Sequence, residues 1–281
     1  MKIAISAEST VDLSKDLLEK YNIHTVPFGI VLGDKLGLDG EISPEEIIAF
    51  VNKTGILPKT SAVNETQLDE HFTTLLETYD AVIHFSISSK LSSACSNARI
   101  AATRLNNVFV VDTLSLSTGI GLLAIYARKL IDGGLAADEV FKQCEARVKY
   151  IQASFVLDRL DYLYKGGRCS ALALFGANIL RIKPQIILKN GEMRPNRKYI
   201  GRNDLTIRRY SRETLSEFSG CDKSLAFITY TTATPAMISE ARSALKSAGF
   251  KEIIETRAGA TITSHCGDLT LGILFFSKKP D

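Results

Sequence analysis

Between residues 2 and 150, short apolar runs alternate with stretches of helical periodicity, and this alternation constrains the fold more than any other feature of the chain. Residues 2–6, 81–85 and 108–111 are runs of strand length, suited to burial on both faces of a sheet. Residues 24–32 read as extended, with Gly33-Asp34 as their turn. Ser9-Thr10-Val11-Asp12 is expected to open a helix reaching about Tyr21, and residues 64–78, 92–105, 118–131 and 136–150 are expected to be helical. Two helix starts are explicit. Ser43-Pro44-Glu45-Glu46 offers a Ser cap, Pro in the first turn and Glu three residues after the cap, and Asn64 precedes Gln67 by the same spacing. Strand and helix in this order predict a mainly parallel sheet with covering helices.

The second half has a different pattern. Residues 183–189 and 192–198 flank Asn190-Gly191, the favoured two-residue hairpin turn, so the sheet there contains antiparallel pairs. Strands are also expected over 152–156, 224–229, 252–256 and 271–276, with helices over 157–164, 171–179, 206–218 and 234–248. The fold class is α/β, with two α/β domains: the first has a mainly parallel sheet and the second a mixed one. The division is placed at residue 155, giving residues 1–155 and 156–281.

Composition narrows the function. Lys and Arg number 34 against 31 Asp and Glu, and a formal charge of +3 is too small to imply a nucleic-acid or membrane partner. Uncharged stretches such as residues 113–127 are shorter than the about 20 apolar residues of a membrane span. Glu8 interrupts the N-terminus before a signal-like apolar region develops. Five cysteines without C-x-x-C spacing suit a reducing compartment, and a cytoplasmic protein is expected. No P-loop, dinucleotide fingerprint, H-E-x-x-H or G-x-S-x-G motif occurs, and the four histidines never stand at metal-ligand spacing. A binding protein without cofactor or metal therefore stands beside a catalyst as a reading.

The loops leaving the expected parallel strands are rich in hydroxyls. Ser6, Ser9 and Thr10 follow the first strand; Ser86, Ser88, Ser89, Ser92 and Ser93 follow the second; Thr113, Ser115, Ser117 and Thr118 follow the third. Ligands of open α/β sheets sit beyond the carboxyl ends of the strands, where free N–H groups and hydroxyls favour a carboxylate or phosphate. The same serines can instead cap helices. Pro58-Lys59-Thr60-Ser61 adds a hydroxyl pair in an expected loop. Gly166-Gly167-Arg168 forms a tight turn that can aim a guanidinium at an anion, and His265 lies between strand-like runs. Residues 194–212 carry Arg194, Arg197, Lys198, Arg202, Arg208, Arg209 and Arg212 against Asp204 alone, leaving the rest of the chain at −3. With few aromatics among them, they read as a protein-docking or anion-facing patch, an RNA contact being the alternative.

Ser9-Thr10-Val11-Asp12-Leu13, Thr60-Ser61, residues 88–98, Lys165-Gly166-Gly167-Arg168 and His265-Cys266-Gly267, in this order and spacing, resemble the DegV family of bacterial fatty-acid-binding proteins. The resemblance spans essentially the whole chain. The first segment is similar to the family's D-S-T-x-D-L start, with Glu8 in place of the first Asp. Residues 88–98 resemble S-S-x-L-S-G-T-Y-x-x-A, with Ser93-Ala94-Cys95 replacing Gly-Thr-Tyr. The others match the family's T-S, K-G-G-R and H-x-G-P-G motifs, the last through its histidine and first glycine.

The resemblance implies two domains with a long-chain fatty acid buried between them and no other cofactor. It implies that Thr60, Ser61 and Ser92 hold the carboxylate, with Arg168 and His265 close by and Ser93, in the motif's glycine position, among the ligand-binding residues. It further implies a non-catalytic carrier. A separate ATP-binding fatty acid kinase subunit would phosphorylate the carboxylate for phospholipid metabolism, and Arg202 lies in the region that faces this kinase. Two other readings stay open: a serine esterase or acyltransferase using Ser92, His265 and an acid such as Asp112, and a nucleic-acid-binding regulator acting through residues 194–212.

Overall fold

The computed structural model describes residues 1–169 and 182–278, and the helix expected over 171–179 lies outside them. In the first half the order is β1 (Ile3–Glu8), α1 (Lys15–Lys20), β2 (Ile23–Val26), β3 (Gly29–Leu32), β4 (Lys35–Leu38), α2 (Pro44–Thr54), β5 (Lys59–Ser61), α3 (Glu65–Leu76), β6 (Ala81–Ser86), α4 (Ala94–Ala102), β7 (Val108–Asp112), α5 (Thr118–Asp132) and α6 (Ala137–Val148). The second half continues with β8 (Ile151–Val156), α7 (Asp161–Lys165), β9 (Lys183–Lys189), β10 (Glu192–Tyr199), α8 (Asn203–Glu217), β11 (Leu225–Tyr230), α9 (Pro235–Ser247), β12 (Glu252–Arg257), α10 (Ala260–Cys266) and β13 (Leu271–Phe276).

Strands β2, β1, β6 and β7 form an all-parallel sheet in that order. β1 and β6 are buried along their whole length, as apolar runs covered on both faces must be. The second sheet runs β10-β9-β8-β13-β11-β12 and is antiparallel except where β11 meets β12. Asn190 and Gly191 have φ of 53° and 82°, the paired left-handed geometry of a two-residue hairpin. A third sheet was not expected: β4, β3 and β5 pair antiparallel, so residues 24–32 split into two strands and Lys59-Thr60-Ser61 is an edge strand instead of a loop.

Two helices are shorter than expected. Ser9–Val11 form only a 3-10 turn, because Asp12 takes φ 53° and stops it, and α1 starts afresh behind a Ser14 cap. The helix expected over 157–164 contracts to α7. β8 pairs entirely within the second sheet, so a division at residue 155 falls inside this strand, and we propose the turn at residues 149–150 instead.

The two large sheets share one core, in which Ile5, Ile83 and Phe85 join Phe155, Ile186, Phe227 and Leu274. Helix α5 packs against β1, β6, β8 and β13 and ties the halves together. A second core, around Tyr210, Ile228, Leu245 and Phe275, fills another part of the six-stranded sheet. The small sheet packs its Ile30 and Leu32 with Ile42, Ile47, Val51, Tyr162 and Ala260. All five cysteines are buried. Among the described residues no helix is long and apolar enough to cross a membrane.

Candidate functional site

Thr60 on β5 and His265 on α10 lie 205 residues apart in the chain, yet Thr60 Oγ1 stands 2.8 Å from His265 Nε2. Both line a cavity of about 260 Å³, together with Ser92, Ser93 and Arg168. Its apolar wall includes Phe28, Ile87, Leu91, Leu116, Met193 and Ile262. Five of the six expected ligand residues are thus brought together. Ser61 is not. Successive side chains of a strand point to opposite faces, so Ser61 turns away from Thr60 and lies exposed over Gly29.

The two glycines before Arg168 serve different purposes. Gly167 has φ 70°, which glycine adopts without steric cost. Gly166 has an ordinary φ, but a Cβ there would stand 2.8 Å from both His265 Nδ1 and Tyr162 O. The turn delivers Arg168 to the cavity, where its Nη1 donates to Gly166 O (2.7 Å). Burial, reinforced by the Arg168 charge, pushes the His265 imidazole down to about 4, so the ring is neutral at pH 7. Its Nδ1 has no hydrogen-bond partner among the described residues.

Most of the clustered hydroxyls serve the fold and not the cavity. Ser6 Oγ lies between His71 Nε2 (2.8 Å) and His84 Nδ1 (2.9 Å), and Ser88 Oγ donates to Gly191 O (2.7 Å). Ser86 Oγ donates to the fully buried Glu8 (2.5 Å), which also accepts from Ile87 N (2.9 Å). Glu8 thereby fixes the start of the loop that carries Ser92 and Ser93.

Two carboxylates from the first half hold the start of α10, a helix that sequence reading missed. Asp12 Oδ1 accepts from Gly259 N (2.7 Å), and Asp39 accepts from Ala260 N (2.8 Å) and Thr261 N (3.2 Å). They satisfy N–H groups that a helix start leaves free. Gly259 has an unstrained φ of −68°, but a Cβ there would come 2.9 Å from Asp39 Oδ1. Ser9 Oγ links Asp39 (3.0 Å) to Phe28 N (3.1 Å), so the same clasp reaches the cavity wall. Asp12 belongs to a segment singled out in the sequence; Asp39 gave no local signal.

A family-wide sequence model described as "Uncharacterised protein, DegV family" matches residues 2–278. The chain belongs to the DegV family. A relative from Thermotoga maritima named fatty acid-binding protein is 33% identical over 280 residues, covering 97% of this chain and 96% of its own. The solved structure "Fatty Acid Binding of a DegV family Protein from Thermus thermophilus" superposes with a TM-score of 0.91 at 27% identity, over 98% of this chain and 99% of that one. DegV from Bacillus subtilis, described as a fatty acid binding protein, gives 0.86 at 26% identity over 98% and 99%. The α/β architecture, with its parallel and mixed sheets, is that of DegV structures.

In this DegV chain the esterase constellation is not joined. Ser92 Oγ accepts from Ala94 N (3.2 Å), His265 Nε2 is engaged with Thr60, and Asp112 Oδ1 accepts from Ser89 N and Leu114 N (both 3.1 Å). Residues 194–212 do not form the open positive field their composition suggests. Arg194 pairs with Glu192, Arg197 with Glu217, Arg208 with Glu240, and Arg209 with Glu213. Arg202, with 76% of its side chain exposed at the start of α8, pairs with Asp204.

Proposed function

We propose that the cavity binds a long-chain fatty acid, with the carboxylate at Thr60, Ser92, Ser93, Arg168 and His265 and the acyl chain along the apolar wall. The protein then acts as a carrier, not a catalyst, and presents the carboxylate to a separate ATP-dependent kinase subunit in the cytoplasm. One observation carries the reading: an apolar cavity ends at the Thr60–His265 pair and at Arg168, a guanidinium with no ion pair to an acid among the described residues. The names of the Thermotoga, Thermus and Bacillus relatives support it. About 15 methylene and methyl groups at about 0.8 kcal/mol each gain roughly 12 kcal/mol on leaving water, before the cost of association. The carboxylate needs donors on entry, which the hydroxyls and the guanidinium supply. Docking of the kinase is assigned to the surface around Arg202, which the exposed Ile200 and Leu205 flank.

Titration of delipidated protein with oleate tests the placement. Thr60→Val and Ser92→Ala are each expected to weaken binding by about 0.5–3 kcal/mol, as for lost hydrogen bonds to a charged acceptor, and Ser61→Ala to leave it unchanged. Curves for the first two that overlay the parent would put the carboxylate elsewhere.

A further inference from the structure

A second cavity, of about 400 Å³, opens where the six-stranded sheet parts. The β8–β9 register stops at Ser154 and Ile187, so Ile151, Gln152 and Ala153 of β8 no longer pair with Leu188 and Lys189 of β9, and all five line the cavity. It adjoins the first cavity. Leu114 and Ser115 line the second and Leu116 the first, and Leu188 of the second stands directly opposite Met193 of the first in the β9–β10 ladder. Directly opposed side chains of an antiparallel pair lie about 4.5–5.5 Å apart at Cβ, so these two form a shared wall between the spaces. Met193 is unbranched and adaptable, a side chain that can swing aside. Two polar atoms of the lining are unsatisfied. Ser115 is 1% exposed and Gln152 6% exposed, and Ser115 Oγ and Gln152 Oε1 have no hydrogen-bond partner among the described residues. The amide N–H of Gln152 is used, since Nε2 donates to Ser154 Oγ (2.7 Å). Gln185, the other buried amide of the lining, is engaged at both ends, by Thr214 Oγ1 (3.2 Å) and Asn196 Nδ2 (3.1 Å).

A buried acceptor without a donor is costly, and a hydrocarbon tail supplies none. We propose that the acyl chain passes Met193 into the second cavity, and that the preferred ligand is a hydroxy fatty acid. Its hydroxyl stands on the half of the chain far from the carboxylate, donating to Gln152 Oε1 and accepting from Ser115 Oγ. The proposal rests on the fatty-acid reading. At about 260 Å³ the first cavity falls short of the about 300–1,000 Å³ usual for ligand pockets, and the second supplies the remaining length. A hydroxyl fits because it both donates and accepts, as these two groups require. The buried polar groups of the lining are neutral, while its charged residues, Lys149, Lys189 and Glu217, are exposed. An ammonium or carboxylate on the tail would therefore shed its water beside neutral groups, at a greater cost than a hydroxyl.

Titration of delipidated protein with two matched pairs of acids tests this. Stearate and 12-hydroxystearate differ only in a hydroxyl within the far part of the chain, and palmitate and 16-hydroxyhexadecanoate only in one at its end. In at least one pair the hydroxylated acid is expected to bind about fivefold or more tightly than its plain partner. That ratio should fall to about unity in Ser115→Ala and below unity in Gln152→Leu, where the hydroxyl meets hydrocarbon alone. Gln152 also holds Ser154, so Ser115→Ala decides the point should Gln152→Leu fail to fold. Hydroxylated acids that bind no more tightly than their plain partners, or a preference unchanged in the folded variants, would overturn the hydroxyl site and leave the fatty-acid reading standing. A parent that binds none of the four acids would remove the fatty-acid reading and this site with it.

Discussion

Asp12 sits at φ 53° beyond β1, its carboxyl 2.5 Å from Ser117 Oγ and 2.7 Å from Gly259 N. Burial, with the charge of Asp39 adding to it, pushes its pKa from 3.8 up to about 8 despite those hydrogen bonds. The folded chain therefore holds a proton that the unfolded chain has released. Stability linked to Asp12 is fully present below 3.8 and is lost as pH rises through about 8. His71 and His265 have the opposite sign. Each is held down from 6.5 to about 4, mainly by burial, so their share is present above 6.5 and is lost as pH falls through about 4. Between 6.5 and 8, Asp12 alone of the three titrates. Melting temperatures across that window are expected to fall with rising pH in the parent and to be flatter in Asp12→Asn; an unchanged slope in the variant would contradict the assignment. Residue-level reading of the sequence singled out Thr60, Ser92, Ser93, Arg168 and His265, which the fold sets around one cavity, because each stands in or beside a short motif. It did not foresee that Ser61 lies exposed outside that lining, since a strand's alternation cannot be applied to a segment taken for a loop. It also could not say that Ser6, Ser86 and Ser88 bond inward, because their partners are 65 to 103 residues away.

Helix α10 and strand β5, which carry His265 and Thr60, have seven and three residues. Neither is long enough to show a period, and neither has a local cap or turn signal. Their stability is long-range: Ala260 N and Thr261 N reach Asp39 across 221 and 222 residues, and β5 exists through its pairing with β3. The elements that were legible carry their own signals, such as the Ser43 cap and Pro44 of α2, the Asn64–Gln67 capping box of α3 and the Asn190-Gly191 turn. The Asp39 clasp should accordingly govern both fold and site. Asp39→Ala is expected to lower stability by about 0.5–2 kcal/mol, the range for a lost helix cap, and to weaken oleate binding by freeing the helix that positions His265. Denaturant unfolding and oleate titration of the same variant check this. A destabilised variant with parental affinity would separate the clasp from the site.

At the scale of the whole molecule, the parallel and mixed sheets were legible from strand order and the hairpin, but their union was not. Phe155, Ile186, Phe227 and Leu274 of the second sheet enter the same core as Ile5 and Phe85 of the first, and no periodicity reveals which apolar faces meet. That shared core places loops from the first sheet, the edge strand β5, Met193 of β10 and helix α10 around one cavity. The central claim is that this cavity holds a fatty acid, and an apolar chain enclosed there should survive purification because its release returns the whole tail to water. Native mass spectrometry of protein freshly purified from a lipid-replete bacterium tests it most directly. The account predicts a mass excess of one long-chain fatty acid per chain, lost on denaturation and recovered as free acid in the extract. A chain that shows only its bare mass, with no fatty acid in the extract, would contradict it.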